Sequence, residues 1–169
     1  TKGSVDKANK QKWISRGIME EAIASSQLEG AGTSRRVAKK MIREERKPRN
    51  KAEQMIMNNY LSMSAIENHY KNEAMSRNLF LELHALINKD TLDDQDEVPH
   101  LRTGQEMVNV SDNATGEIYY QAPETDFVNR ELDRLVDFAN DNLKEEYFMH
   151  PLLKAIILHF WVGYLHPFT

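Results

Sequence analysis

Fifteen residues near the end of the chain, Pro151 to Leu165 (PLLKAIILHFWVGYL), constrain its fold more than any other stretch. Leu152, Leu153, Ile156, Ile157, Leu158, Phe160, Trp161 and Val162 make the segment apolar almost all round, and such a helix belongs at the centre of a bundle. Pro151 opens it where proline suits a helix, in the first turn, whose N–H groups have no intrahelical acceptor. The segment is too short for a bilayer and carries Lys154 and His159, so it predicts a core helix rather than a membrane span. His166-Pro167-Phe168-Thr169 then ends it, since the residue before a proline is pushed out of the α region.

The rest of the chain offers partners for that helix. From Trp13 to Glu29, Ile14, Ile18, Ala22 and Leu28 keep rough helical spacing, and Gly30 and Gly32 stop a short first helix. Ser34 to Lys47 predicts a second helix, mostly charged, with Val37, Met41 and Ile42 as its few apolar anchors and Pro48 as its end; its burial should be slight. Ala52, Met55, Ile56, Tyr60, Met63, Ile66 and Tyr70 recur at three and four residues, a core-facing stripe on a helix of about five turns. Met75, Leu79, Phe80, Leu83, Leu86 and Ile87 repeat the pattern ahead of an acidic loop, Asp90 to Glu97, and Pro99. The period then changes. Val108 and Val110, then Ile118 and Tyr120, flank the turn-forming run Ser111 to Gly116, which predicts one β-hairpin that must lie against helices. Phe127 to Leu143 is helical again, with Leu132, Leu135, Val136 and Phe138 inward. The fold class is mainly α with a single hairpin, and there is no internal repeat.

Composition closes off several functions. At 169 residues and 40% hydrophobic content the chain can build a single core. The absence of cysteine excludes disulfides, thiolate zinc sites and thiol nucleophiles, and fits a reducing compartment. The polar N-terminus lacks a secretory h-region, so a cytoplasmic, non-membrane protein is expected. A net charge of -4 gives no global pull toward nucleic acid.

Two places carry candidate chemistry. His166, emerging at the end of a rigid helix with a pKa near neutrality, suits a general base; a packed or capping histidine explains the same residues. Ser25 and Glu29, four apart, share a helix face, and Gly30 lets the chain turn away directly after the carboxylate. A solvated glutamate beside a capping glycine explains those too.

Taken together, these stretches resemble the Fic domain family. HPLLKAIILHFWVGYLHPFT (His150 to Thr169) is similar to the family's central helix and the start of its signature, H-P-F-x-D-G-N-G-R. SSQLEG (Ser25 to Gly30) is similar to its inhibitory motif, [S/T]-x-x-x-E-[G/N]. VPHLRTGQEMVNV, followed by Tyr119-Tyr120-Gln121-Ala122-Pro123, resembles the segment leading into its target-docking flap. The resemblance runs from about Ile14 to Thr169, and the chain stops inside the signature, before the D-G-N-G-R of the phosphate-binding loop. It therefore reads as the N-terminal part of a Fic protein, with residues 1–33 carrying an inhibitory helix and 34–169 the first part of the catalytic core.

The resemblance implies an autoinhibited adenylyltransferase that moves AMP from ATP to a Ser, Thr or Tyr hydroxyl of a target protein. In some relatives the inhibitory glutamate also directs water to remove AMP. His166 would be the catalytic base, with Pro167 and Phe168 anchoring the motif. Glu29, supported by Ser25 and Gly30, would be the brake, competing with the γ-phosphate for the signature arginine. Met107, Val108, Asn109, Val110, Ile118, Tyr119, Tyr120 and Gln121 would form the flap that pairs with the target. ATP and Mg²⁺ are the implied cofactors, with their ligands expected beyond Thr169 and no metal ligands among these residues, so the 169-residue chain alone is expected to be inactive. The implied partners are ATP and a hydroxyl-bearing protein, with a homodimer also open.

Other signals carry less. Between Arg35 and Lys51, nine basic residues stand against two acidic ones without interleaved aromatics, which favours a solvated helix over nucleic-acid binding. His159 and His166, seven apart, lack a supporting carboxylate for zinc. His84 reads as a core histidine. A non-catalytic helical scaffold, or transfer of another nucleotide or phosphate group, remains the alternative function.

Overall fold

The computed structural model describes residues 7–92, 99–112, 114–142 and 148–168. Among these the chain is mainly helical. The order is α1 (Lys7–Leu28), α2 (Arg35–Arg43), α3 (Lys51–Ala65) with a π-helical turn at Ile66–Tyr70, α4 (Arg77–Asn88), β1 (Asn109–Ser111), β2 (Ile118–Gln121), α5 (Thr125–Ala139) and α6 (Pro151–Leu165). The chain divides into two compact units, residues 1–73 with 83–98, and residues 74–82 with 99–169. Leu143 and most of the acidic loop lie outside the described residues.

The first unit is built on α1, α2 and α3. Its core joins Met19, Ile23, Ala31, Ala38, Met41, Ile42 and Ile56, with Ala52, Met55, Met57 and Tyr60 packed against them; each large buried side chain contributes about 1.5–3 kcal/mol. The first helix is not short. It reaches back to Lys7, because the polar run before Trp13 lacks hydrophobic periodicity but is rich in helix-forming lysine and glutamine. The second helix is buried more than its charge suggests: Ala38, Met41 and Ile42 are enclosed while Val37 is exposed. Nine residues need only one apolar stripe, and α2 has it. Ser34 caps that helix through its Oγ, which accepts from the Val37 N–H.

On α3, polar groups share the inner side with Ile56. Asn58 Nδ2 donates to the carbonyls of Ile87 and Lys89 at 2.9 and 2.6 Å, closing the end of α4. Glu53 is 4% exposed. Both its oxygens accept from Arg46, and Oε2 also accepts from the Arg49 N–H. The Arg46 guanidinium holds the Glu53 carboxyl below its ordinary value.

In the second unit α5 packs on α6, with Val128, Leu135 and Leu165 buried and Phe127, Leu158, Trp161 and Val162 against them. Asn140 clamps the entry to α4, accepting from the Met75 N–H at 2.7 Å and donating to its carbonyl at 2.8 Å. The hairpin pairs Asn109 with Gln121, Val110 with Tyr120 and Ser111 with Ile118, with a bulge between Val110 and Ser111. Its turn is local chemistry: Asp112 Oδ1 accepts from the N–H groups of Ala114 and Thr115, and Gly116 supplies a φ of 72°.

The expectation for the apolar helix needs correcting. Of α6 only Leu165 is fully buried, while Leu152, Leu153, Ile156, Ile157 and Phe160 are exposed. Within this unit α5 is the helix that packs on it, and one neighbour covers one stripe of an apolar cylinder.

Candidate functional site

The end of α6 is an unusual helix terminus. Leu165 is enclosed and Pro167 is buried, and between them His166 takes φ 42°, ψ 64°, while its N–H still donates to the Val162 carbonyl at 3.0 Å. Proline forbids continuation of the helix; the left-handed conformation is the further step, and for a residue with a side chain it costs roughly 1–2 kcal/mol. Glycine is the usual occupant of such a position; Glu45, Asp90 and Asp141 also take positive φ after α2, α4 and α5, but they are exposed, and His166 is set apart by its buried neighbours.

The segment just before the hairpin holds these residues. Leu101 and Phe168 form an antiparallel bridge, and the Arg102 N–H donates to the Pro167 carbonyl at 2.9 Å. Phe168 stacks obliquely on Phe80, with centroids 4.9 Å apart. The Arg102 side chain is 2% exposed. Its Nη1 reaches the carbonyls of Leu165 and His166 at 3.4 and 3.5 Å, and its Nε and Nη2 donate to the Glu106 carbonyl at 3.2 and 2.6 Å.

Glu106 organises the loop that presents Arg102. Its carboxylate accepts from the Thr103 N–H, from Thr103 Oγ1 and from His100 Nε2 at 3.0 Å, and the Thr103 N–H, followed by His100, holds its pKa below the ordinary carboxylate value. Its carbonyl also accepts from Thr125 Oγ1 at the start of α5.

Over the histidine lies the hairpin. The Tyr120 ring sits 5.7 Å from the His166 ring, centroid to centroid, and its hydroxyl donates to the Tyr164 carbonyl. Burial raises the Tyr120 phenol pKa. His166 Nδ1 is buried and has no hydrogen-bond partner among the described residues, so Nε2 is the ring nitrogen left to meet a substrate. Met107, Asn109, Val110, Ile118, Tyr119 and Gln121 are exposed, and Val108 and Tyr120 are half-buried. A two-stranded sheet leaves an outer edge on each strand, a place for an extended chain to pair.

In the other unit, α1 ends in main-chain bonds: the N–H groups of Glu29, Gly30 and Ala31 donate to the carbonyls of Ser25, Gln27 and Ser26. Gly30 takes φ 95°, the left-handed turn that glycine makes at little cost. Ser25 is half-buried. Glu29 is exposed, and its carboxylate has no partner among the described residues. The neighbouring Ser26 is buried, its Oγ accepting from Asn59 Nδ2 at 3.3 Å.

The second unit thus gathers His166, Pro167, Phe168 and Tyr120 with three residues that sequence reasoning did not single out: Arg102, Glu106 and His100. One signal pointed to Arg102, the sole lysine or arginine between Lys89 and Arg130. His84 is half-buried, and burial lowers its pKa; His159 is exposed. Among the described residues no three His, Asp or Glu side chains are grouped to hold a metal ion, and no helix is long and apolar enough to cross a membrane.

Comparison with known proteins bears on the fold and the family. No curated protein matches the chain. Among solved structures, a Fic family protein from Desulfovibrio desulfuricans G20 is similar over 96% of this chain and 45% of its own, with a TM-score of 0.62 at 18% identity. The likeness is therefore one of fold, and the chain spans less than half the length of that protein. The family model for the Fic/DOC family matches residues 74–169, the larger part of the chain and the part that holds His166, the hairpin and Arg102. The chain belongs to the Fic/DOC family.

Proposed function

We propose that the full-length protein is an adenylyltransferase restrained by its own N-terminal helix. The observation that carries this reading is His166, fixed at the end of α6 in a left-handed conformation beneath an exposed hairpin. In this reading the hairpin edge pairs with an extended target segment and brings a Ser, Thr or Tyr hydroxyl to Nε2. His166 removes the hydroxyl proton, the oxygen bonds to the α-phosphorus of ATP, and pyrophosphate leaves with the cleaved bond's electrons. Magnesium, when bound, would screen the phosphate charge, and no step here runs through it.

Glu29 is the proposed brake. Exposed on a glycine-ended helix, its carboxylate is available to compete with a triphosphate for a shared cation. The test is transfer of α-labelled AMP from ATP to protein by the full-length protein. A general base contributes about 10²–10⁴-fold, so His166→Ala is expected to reduce labelling by that factor; undiminished labelling contradicts the assignment.

A further inference from the structure

We infer that Arg102 is a positioning residue for His166: a buried cation that sets the backbone conformation from which the imidazole acts. This rests on the reading of His166 as the base.

Burial makes the arginine expensive. A guanidinium withdrawn from water costs several kcal/mol unless it is paired, and Arg102 is 2% exposed with no carboxylate partner among the described residues. Its side-chain hydrogen bonds run to main-chain carbonyls instead. Those of Leu165 and His166 belong to the last turn of α6, where carbonyls lack intrahelical donors and the helix dipole presents its negative end. The cation therefore sits where the backbone is most negative and least satisfied.

The contacts surround one residue. The Arg102 main chain holds Pro167, the residue after His166, while its guanidinium reaches the carbonyls of His166 itself and of Leu165, the residue before it. These contacts restrain a histidine that stands in the left-handed region before a proline. The other side of the guanidinium is fixed independently, because Glu106 offers its carbonyl from a loop closed by its own carboxylate on Thr103 and tied to α5 through Thr125. Arg102 spans from that anchor to the end of α6. A lysine in its place keeps the charge but cannot fork between two sets of carbonyls.

Because Arg102 acts through the His166 backbone rather than on a phosphate, its loss should slow the chemical step and leave ATP affinity alone. A misplacement of about 1 Å costs about 10²-fold. The experiment measures kcat and KM for ATP in the full-length protein carrying Arg102→Lys, Arg102→Ala or His166→Ala, with thermal melts of each. Expected are an inactive His166→Ala, and a kcat about 10²-fold lower for Arg102→Lys with KM for ATP unchanged. Added guanidinium ion should restore part of the kcat of Arg102→Ala, filling the vacated space with the missing fork. Should Arg102→Ala fail to fold, the kcat and KM of Arg102→Lys decide. An inactive His166→Ala beside an Arg102→Lys of wild-type kcat overturns the positioning role alone. A kcat loss matched by a rise in KM, or a folded Arg102→Ala that guanidinium does not rescue, also overturns it. Activity surviving His166→Ala removes the base assignment and takes this proposal with it.

Discussion

Five helices of this protein, α1, α2, α4, α5 and α6, are followed by a left-handed residue, and the ends of α1 and α6 differ most. At the end of α1 a glycine takes φ 95°, the last helical residue, Leu28, is 88% exposed, and Glu29 stands free of partners among the described residues. At the end of α6 a histidine takes φ 42°, the last helical residue, Leu165, is fully buried, and a buried arginine and a β-bridge grip the following residues. Glycine makes such a turn cheaply, whereas a residue with a side chain is strained there by roughly 1–2 kcal/mol; Glu45, Asp90 and Asp141 take it in the open, and His166 takes it between two buried neighbours. The contrast suits the proposed roles. A base must stay at hydrogen-bonding distance from its substrate, whereas a brake must be able to withdraw.

The contrast can be broken by substitution at matching positions. The largest effect is expected on chemistry: His166→Ala should cost about 10²–10⁴-fold in AMP transfer, and Glu29→Ala should not reduce it at all; a loss of rate in Glu29→Ala makes that carboxylate part of the catalytic machinery. Next comes packing. Leu165→Ala should destabilise the second unit by about 2–5 kcal/mol in chemical denaturation, and Leu28→Ala, at the equivalent place on α1, should stay within about 0.5 kcal/mol of wild type. Equal costs at the two leucines would show that the ends are held alike. The smallest effect isolates the backbone. Gly30→Ala should destabilise by about 1 kcal/mol, since a Cβ there meets no atom within 4 Å and only the dihedral is strained. By the same reasoning His166→Gly should be more stable than His166→Ala by about 1 kcal/mol, both having lost the ring; identical melting of those two variants would deny any strain at His166.

What the sequence made legible is what short-range chemistry decides. Asp112 and Gly116 mark the hairpin turn because they shape it themselves, and Pro167 marks the end of α6 because it forbids the next turn. Helix existence followed from periodicity for α3, α4 and α5. The backward reach of α1 escaped, because Lys, Asn and Gln form helix without an apolar pattern to betray it. Periodicity also says which helix is apolar and not what covers it, so the exposed face of α6 was unforeseen. Arg102 was the main omission at the site. Its helix-end partners lie 63 and 64 residues further along the chain, and they are backbone carbonyls, which carry no signature in sequence. His166 stood out by its place beside a proline, whereas Arg102 offered in sequence only its isolation among uncharged and acidic residues, and its role is visible in three dimensions.

The central claim is that the free carboxylate at the end of α1 restrains a reaction performed by the held imidazole at the end of α6. Its most direct test is the intact mass of the full-length protein after incubation with ATP and Mg²⁺, measured for wild type, Glu29→Gly, and Glu29→Gly combined with His166→Ala. The account predicts added AMP on Glu29→Gly well above wild type, and none on the double variant. Equal modification of wild type and Glu29→Gly, or modification that survives the loss of His166, contradicts it.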